Sequence, residues 1–343
     1  MRGARVESAQ AHVLERPIGT PMGRFSLEVA GVDMSVLTRP RPEDERLAHP
    51  LLRQVCATPL AELQRIPPPG VRVLAKLEAA NRGGSVKDRA ARAIVEAALV
   101  EGALPGRRLL DASSGNTGIA YAMLGAALGF EVTLCLPGSA SAERRKILRA
   151  YGAEIIETDP LEGSDGAIRR ARELARDGHR FFYADQYSNP ENPRAHETTT
   201  GPEILSQLGG EPLDLFVAGL GTGGTFVGVS RHLAHASPAT RRASVEPDRP
   251  FHGLEGLKHM ASAIVPAIFD ASLAHLRLGV ATEEAQEMAR RLAREEGLLA
   301  GVSSGAALVG ALRAARETGA RTVVTVFPDG GERYLSERFW EAE

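Results

Sequence analysis

Lysine is almost missing from this chain. Of its 41 basic residues only Lys76, Lys87, Lys146 and Lys258 are lysines, and arginine supplies the rest. Cysteine is nearly absent too. Cys56 and Cys135 are too few for a disulfide framework or a structural zinc site. His49 stands close to Cys56 without the ligand cluster that a metal or haem needs, so no metal is expected. The net charge of −2 leaves no basic surplus for nucleic acid or an anionic membrane surface, and the arginines are dispersed rather than banked. No run nears the roughly 20 apolar residues of a membrane span, and the N-terminus lacks the apolar core of a signal peptide. A soluble, cytoplasmic protein with no nucleic-acid or membrane partner is expected.

What is present alternates. Strand-like apolar runs at 71–77, 108–111, 131–136, 153–158, 181–183, 215–218, 243–245 and 322–327 are interleaved with helical patterns at 90–99, 119–128, 142–151, 164–177 and 283–296. That order predicts an α/β protein with a parallel sheet. A length of 343 residues suits one large unit or two modest domains. Residues 1 to about 50 differ. They hold Arg39-Pro40-Arg41-Pro42 and no sustained periodicity, and read as an N-terminal extension, either a flexible arm or a segment packed on a partner. Cys135 falls in a strand-like run and is expected to be a packed core thiol.

Three turns carry chemistry. Lys87 lies in Asn81-Arg82-Gly83-Gly84-Ser85-Val86-Lys87-Asp88-Arg89, between a strand and a helix. A lysine so placed is a candidate amine nucleophile of the kind that forms Schiff bases, or else a solvated helix-start residue. Asp111-Ala112-Ser113-Ser114-Gly115-Asn116-Thr117-Gly118 opens a second helix. Its hydroxyls, amide and free N–H groups make an anion pocket suited to a carboxylate, although Ser113 or Ser114 alone also reads as an ordinary N-cap. Gly219-Leu220-Gly221-Thr222-Gly223-Gly224-Thr225 opens a third. Its glycines admit a phosphate close to the backbone. It lacks the ending of a nucleotide P-loop, yet it satisfies Gly-x-Gly-x-x-Gly, with Glu246 about 20 residues on. A dinucleotide-binding oxidoreductase, or a non-catalytic nucleotide-binding module, is therefore a second reading of this loop.

The motifs Gly83-Gly84-Ser85-Val86-Lys87-Asp88-Arg89, Ser114-Gly115-Asn116-Thr117-Gly118, Gly221-Thr222-Gly223-Gly224-Thr225 and Gly301-Val302-Ser303-Ser304-Gly305-Ala306 stand in the order seen in cysteine synthases. Gln186-Tyr187-Ser188-Asn189-Pro190 and Thr199-Thr200-Gly201-Pro202-Glu203-Ile204 resemble that family's central segment. The resemblance runs from about Thr58 to Ser336. It places the chain among the tryptophan-synthase-β-like, fold type II enzymes of pyridoxal 5′-phosphate. It also decides the glycine-loop ambiguity, since a dinucleotide reading leaves Lys87 and the Asn116 turn idle.

The resemblance implies two α/β domains with open, mostly parallel sheets flanked by helices. A smaller, mobile one would span 81–189, and a larger one would combine 51–80 with 190–343. It implies that Lys87 bonds the cofactor and acts as the base at the substrate Cα. Asn116 would hydrogen-bond the cofactor's phenolic oxygen. Gly221, Thr222, Gly223, Gly224 and Thr225 would hold its phosphate, and Ser303, with Ser304 as competitor, would meet the pyridine nitrogen. Ser113, Ser114, Thr117 and Gln186 would bind the substrate carboxylate. A neutral serine at the pyridine nitrogen disfavours full carbanion delocalisation and suits loss of a β-leaving group. The implied reaction is β-replacement on an O-activated serine through an aminoacrylate, giving L-cysteine, in a homodimer. The leaving group stays open between acetate and phosphate. A basic residue matching Lys258 marks phosphoserine-using relatives and suits a phosphate, while the same lysine also reads as a surface charge beside a substrate loop. The sulfur donor is sulfide or, by subfamily similarity, a small protein ending in a thiocarboxylate.

Two departures stand out. Gly330 replaces a serine common in relatives, and Tyr187 replaces a phenylalanine. β-Replacement by another nucleophile, giving diaminopropionate or a similar product, and serine or threonine dehydration are alternatives that a shared fold alone does not exclude.

Overall fold

The structure is a computed structural model and describes residues 45–113 and 115–341. The expectations for most of the N-terminal extension, and for Ser114, lie outside the described residues.

Ten strands among the described residues form two sheets. One has six strands in the order β1-β2-β10-β7-β8-β9, built from β1 (Leu60–Glu62), β2 (Arg72–Leu77), β7 (Leu215–Gly219), β8 (Arg241–Pro247), β9 (Leu276–Val280) and β10 (Thr322–Phe327). Only the β1–β2 pairing is antiparallel. The other sheet has four parallel strands in the order β5-β4-β3-β6, from β3 (Arg108–Ala112), β4 (Val132–Pro137), β5 (Glu154–Thr158) and β6 (Phe181–Tyr183).

Parallel strands are covered on both faces, so they read as continuous apolar runs. Successive side chains point to opposite faces, and the core divides accordingly. Leu215 and Val217 join one cluster with Val73, Ala243 and Val323, while Phe216 and Ala218 join another with Leu74, Val324 and Val326. In the four-stranded sheet Leu109, Leu134 and Leu136 face one cluster, and Leu110 and Cys135 face the other. Cys135 is a buried core thiol, and burial pushes it up to about 12.

Nine helices in the described residues connect the strands: α1 (Lys87–Val100), α2 (Asn116–Leu128), α3 (Ala142–Ala150), α4 (Gly163–Leu174), α5 (Glu191–Ala195), α6 (Gly201–Gln207), α7 (Gly224–Ala236), α8 (Thr282–Glu296) and α9 (Val302–Thr318). Between α5 and α6 the segment His196–Thr200 makes a π-helical turn. None of these helices is long and apolar enough to cross a membrane.

Two strands escape the sequence reading. β1 has only three residues. β9 alternates between partly buried and exposed positions, as an edge strand does, and so lacks the continuous apolar signature of its neighbours.

Candidate active site

Open parallel sheets bind ligands beyond the C-terminal ends of their strands, and the motif turns follow such ends. The chain leaves β2 through the turn 81–86 and enters α1 at Lys87. It leaves β3 and enters α2 at Asn116, and it leaves β7 and enters α7 at Gly224. Helix N-termini carry unpaired N–H groups and partial positive charge. Here the starts of α1 and α2 border one inner cavity of about 100 Å³. The cavity is lined by Lys87, Ser113, Asn116, Thr117, Gln186, Tyr187, Gly221, Thr222 and Lys258. It continues past Lys87 into a smaller space of about 40 Å³ bordered by Thr225, Ser303 and Asp329.

The lysine turn is held from several sides. Gly84 has φ +81, a conformation that favours glycine, and a Cβ there would run into the Arg333 guanidinium. The Gly83 N–H donates to Asp88 Oδ2 at 2.5 Å. The Val86 N–H donates to the Pro328 carbonyl at 2.8 Å. Lys87 keeps some exposure where it borders the cavity, yet the protein around its amine desolvates it. That lowers its pKa below that of an ordinary lysine, partly offset by the Asp329 carboxylate. The free amine becomes more available as a result.

Behind the turn lies a buried ionic network. Arg89 is wholly buried and bonds Glu78 (Nε to Oε2, 2.7 Å) and Glu203 (Nη1 to Oε1, 2.7 Å). Lys76 reaches the same Glu203 at 2.8 Å. Burial pushes the Glu203 carboxyl up, but its bonds from Arg89 and Lys76 prevail and hold it at about 2. This network fastens α1 to β2 and α6, and so fixes where Lys87 stands. Removing either partner would strand a buried charge.

Asp88 behaves oppositely. Burial raises its carboxyl to about 7, against the Gly83 N–H and Arg333. The folded protein therefore favours the neutral acid, while the reference value is 3.8. The stability this group contributes is complete below that reference value and is lost as pH rises from there through about 7. Asp88→Asn is expected to gain thermal midpoint relative to the parent between about pH 4 and pH 8. A flat difference across that range would refute this account.

The asparagine turn is equally constrained. The Ser113 hydroxyl accepts from the N–H groups of Gly118 (2.9 Å) and Gly115 (3.3 Å), so it serves the capping role while also lining the cavity. Thr117 Oγ1 donates to Gln186 Oε1 at 2.7 Å, and Gln186 Nε2 donates to the Ala112 carbonyl at 2.7 Å. Asn116 Nδ2 donates to Asp329 Oδ2 at 2.6 Å.

In the glycine loop a Cβ at Gly221 would overlap the Gly256 carbonyl, and one at Gly224 would overlap the Asn192 amide. Only glycine admits this packing, and it brings Gly221, Thr222 and Thr225 to the border of the two spaces, at a helix N-terminus suited to a phosphate. Thr222 Oγ1 accepts from Asn192 Nδ2 at 3.1 Å. Thr225 Oγ1 lies 3.3 Å from Nε2 of His196, a buried histidine whose pKa burial lowers well below the usual value. Ser303 borders the smaller space. The Ser304 hydroxyl is wholly buried with no hydrogen-bond partner among the described residues. Glu246, the acid of the dinucleotide reading, accepts instead from the Met260 N–H at 2.7 Å.

Lys258 is no surface lysine. It is 8% exposed and donates to Asp165 Oδ1 at 3.1 Å and Ser164 Oγ at 3.2 Å. Its Nζ sits 5.2 Å from the centre of the Tyr187 ring. Sequence reasoning missed Arg144, which pairs with Glu255 across the cavity and lies over the Tyr334 ring at 5.2 Å. Its motif, Ser141-Ala142-Glu143-Arg144-Arg145, reads only as an amphipathic helix start.

A desolvated lysine amine in a cavity, beside a glycine-rich loop at a helix N-terminus, suits an enzyme that holds a phosphate-bearing carbonyl cofactor. The family model described as "Pyridoxal-phosphate dependent enzyme" matches residues 51–329, and the chain belongs to that family. Its cofactor is pyridoxal 5′-phosphate, and the lysine, the cradle and the cavity fit that group. A cysteine synthase of Aquifex aeolicus is 47% identical over 296 residues, covering 83% of this chain and 90% of the relative. Among solved structures, an O-ureido-L-serine synthase has TM-score 0.80 at 39% identity, covering 85% of this chain and 95% of that one. A cysteine synthase of Entamoeba histolytica has TM-score 0.80 at 33% identity, covering 89% and 94%.

Proposed function

We propose that this chain makes L-cysteine by β-replacement on an O-activated L-serine, with sulfide as nucleophile, as a cytoplasmic homodimer. The observation that carries the reading is Lys87 in one cavity with the Asn116 turn and the glycine loop. Pyridoxal phosphate, when bound, supplies a carbonyl for amines and an electron sink for the substrate Cα.

The chain's own residues do the rest. Lys87 Nζ, its proton affinity reduced by burial, would hold the cofactor and, once the substrate amine displaces it, would be free to take the Cα proton. The N–H groups of Gly221, Thr222, Gly223, Gly224 and Thr225 would hold the phosphate at the α7 N-terminus. Asn116 would offer its remaining N–H to the cofactor's phenolic oxygen. Ser303 offers a neutral hydroxyl to the pyridine nitrogen. Ser113, Thr117 and Gln186, with Ser114, receive the substrate carboxylate. We read 81–189 as a smaller mobile domain that closes over 51–80 and 190–343.

Of the two esters, phosphate is the better match. Lys258 and Arg144 both border the inner cavity, paired with Asp165 and Glu255, and the Lys258 ammonium has a third N–H beyond those it gives Asp165 and Ser164 to offer a phosphate. Buried cations favour an anionic guest, and an acetyl ester offers them no charge. Visible spectra with O-phosphoserine and, separately, O-acetylserine test the reading. A band shift that is faster with O-phosphoserine supports it. A faster response to O-acetylserine sinks the phosphate assignment alone, and a yellow protein unmoved by either sinks both substrates.

A further inference from the structure

The loop after β10 joins the two turns that carry the reacting groups. Asp329, 2% exposed, accepts from Asn116 Nδ2 at 2.6 Å and from the Tyr334 hydroxyl at 2.5 Å. Arg333 donates through Nη1 to Asn116 Oδ1 and through Nη2 to the Gly83 carbonyl. Ser85 forms a β-bridge with Asp329.

The two ends of an asparagine amide are nearly equal in shape and opposite in hydrogen-bonding sense. Here the oxygen rests on a guanidinium and the nitrogen on a carboxylate. A flipped amide would set N–H against the cation and oxygen against the anion, and both charge-assisted bonds would be lost. The amide is therefore held in one sense, with a single N–H left for the cavity. The same guanidinium grips the chain four residues before Lys87.

We propose that Arg333 is a positioning residue that fixes the polarity of the Asn116 amide and sets the Lys87 turn against it, with Asp329 completing the clasp. This rests on the reading that Asn116 and Lys87 face the cofactor. Arg333 itself does not line the inner cavity, so it acts through its two acceptors.

The test is a double-mutant cycle on the dissociation constant of pyridoxal phosphate, measured by equilibrium dialysis. Arg333→Met is expected to weaken binding about tenfold. Combined with Asn116→Ala, it is expected to lose less than the product of the two single effects, because neighbours that act as a unit are not additive. Arg333→Lys, which can reach one acceptor, should fall between parent and Arg333→Met. Arg333→Gln supplies the same comparison if Arg333→Met does not fold. Unchanged binding in Arg333→Met, or losses that simply multiply, would overturn the proposal while leaving the function standing. A parent chain that takes up no pyridoxal phosphate would overturn both.

Discussion

Lys87→Ala is expected to lower kcat by at least about 10³-fold and to remain folded. Both halves follow from the surroundings of this side chain. Its amine lines the cavity rather than a structural network, and burial works against its charged form. Truncation removes a desolvated charge, and the nearby Asp329 carboxylate keeps its bonds from Asn116 and Tyr334, so the thermal midpoint should hold. Chemical specificity is the sharper readout. Borohydride reduction after incubation with pyridoxal phosphate should leave a phosphopyridoxyl group, the cofactor's mass less one oxygen, on the peptide containing Lys87, and on no lysine peptide of the variant. The other three lysines are badly placed for the role. Lys76 is buried against Glu203, Lys258 is engaged by Asp165, and Lys146 is exposed on α3. Label on any of them, or turnover retained by Lys87→Ala, would remove the centre of the proposed mechanism.

The motif turns were legible because each is local. A strand, a glycine-rich turn and a helix start lie within about fifteen residues, and the physics of an anion site at a helix N-terminus is written in that short span. The central strands of both sheets were legible for a similar reason, since burial on both faces demands unbroken apolar runs. What joins the turns was not. Asn116 meets Asp329 and Arg333 across more than 200 residues of chain, and nothing in either segment names the other. Arg89 looks like one more charge at a helix start, yet it is wholly buried between Glu78 and Glu203. Lys258 admitted a surface reading until Asp165, Ser164 and Tyr187 were seen around it.

Lys258→Met is expected to lower kcat/KM for O-phosphoserine by about 10- to 100-fold and to leave O-acetylserine within a few-fold of the parent. The substitution suits the site. Methionine keeps an unbranched chain that packs against the Tyr187 ring. Asp165, deprived of its ammonium, still accepts from the Ile264 N–H at 3.2 Å and stays in the first turn of α4, where the helix favours a carboxylate. A selective loss would therefore report the charge and not a collapsed wall. Asp165→Asn runs the comparison in reverse, since it frees the Lys258 charge, and it should shift preference further toward the phosphate ester. The alternative is that Lys258 only pins the segment 253–264 against α4. Pinning would affect every substrate that enters the cavity, so equal losses with both esters would show that Lys258 holds the wall and has no hand in the leaving group.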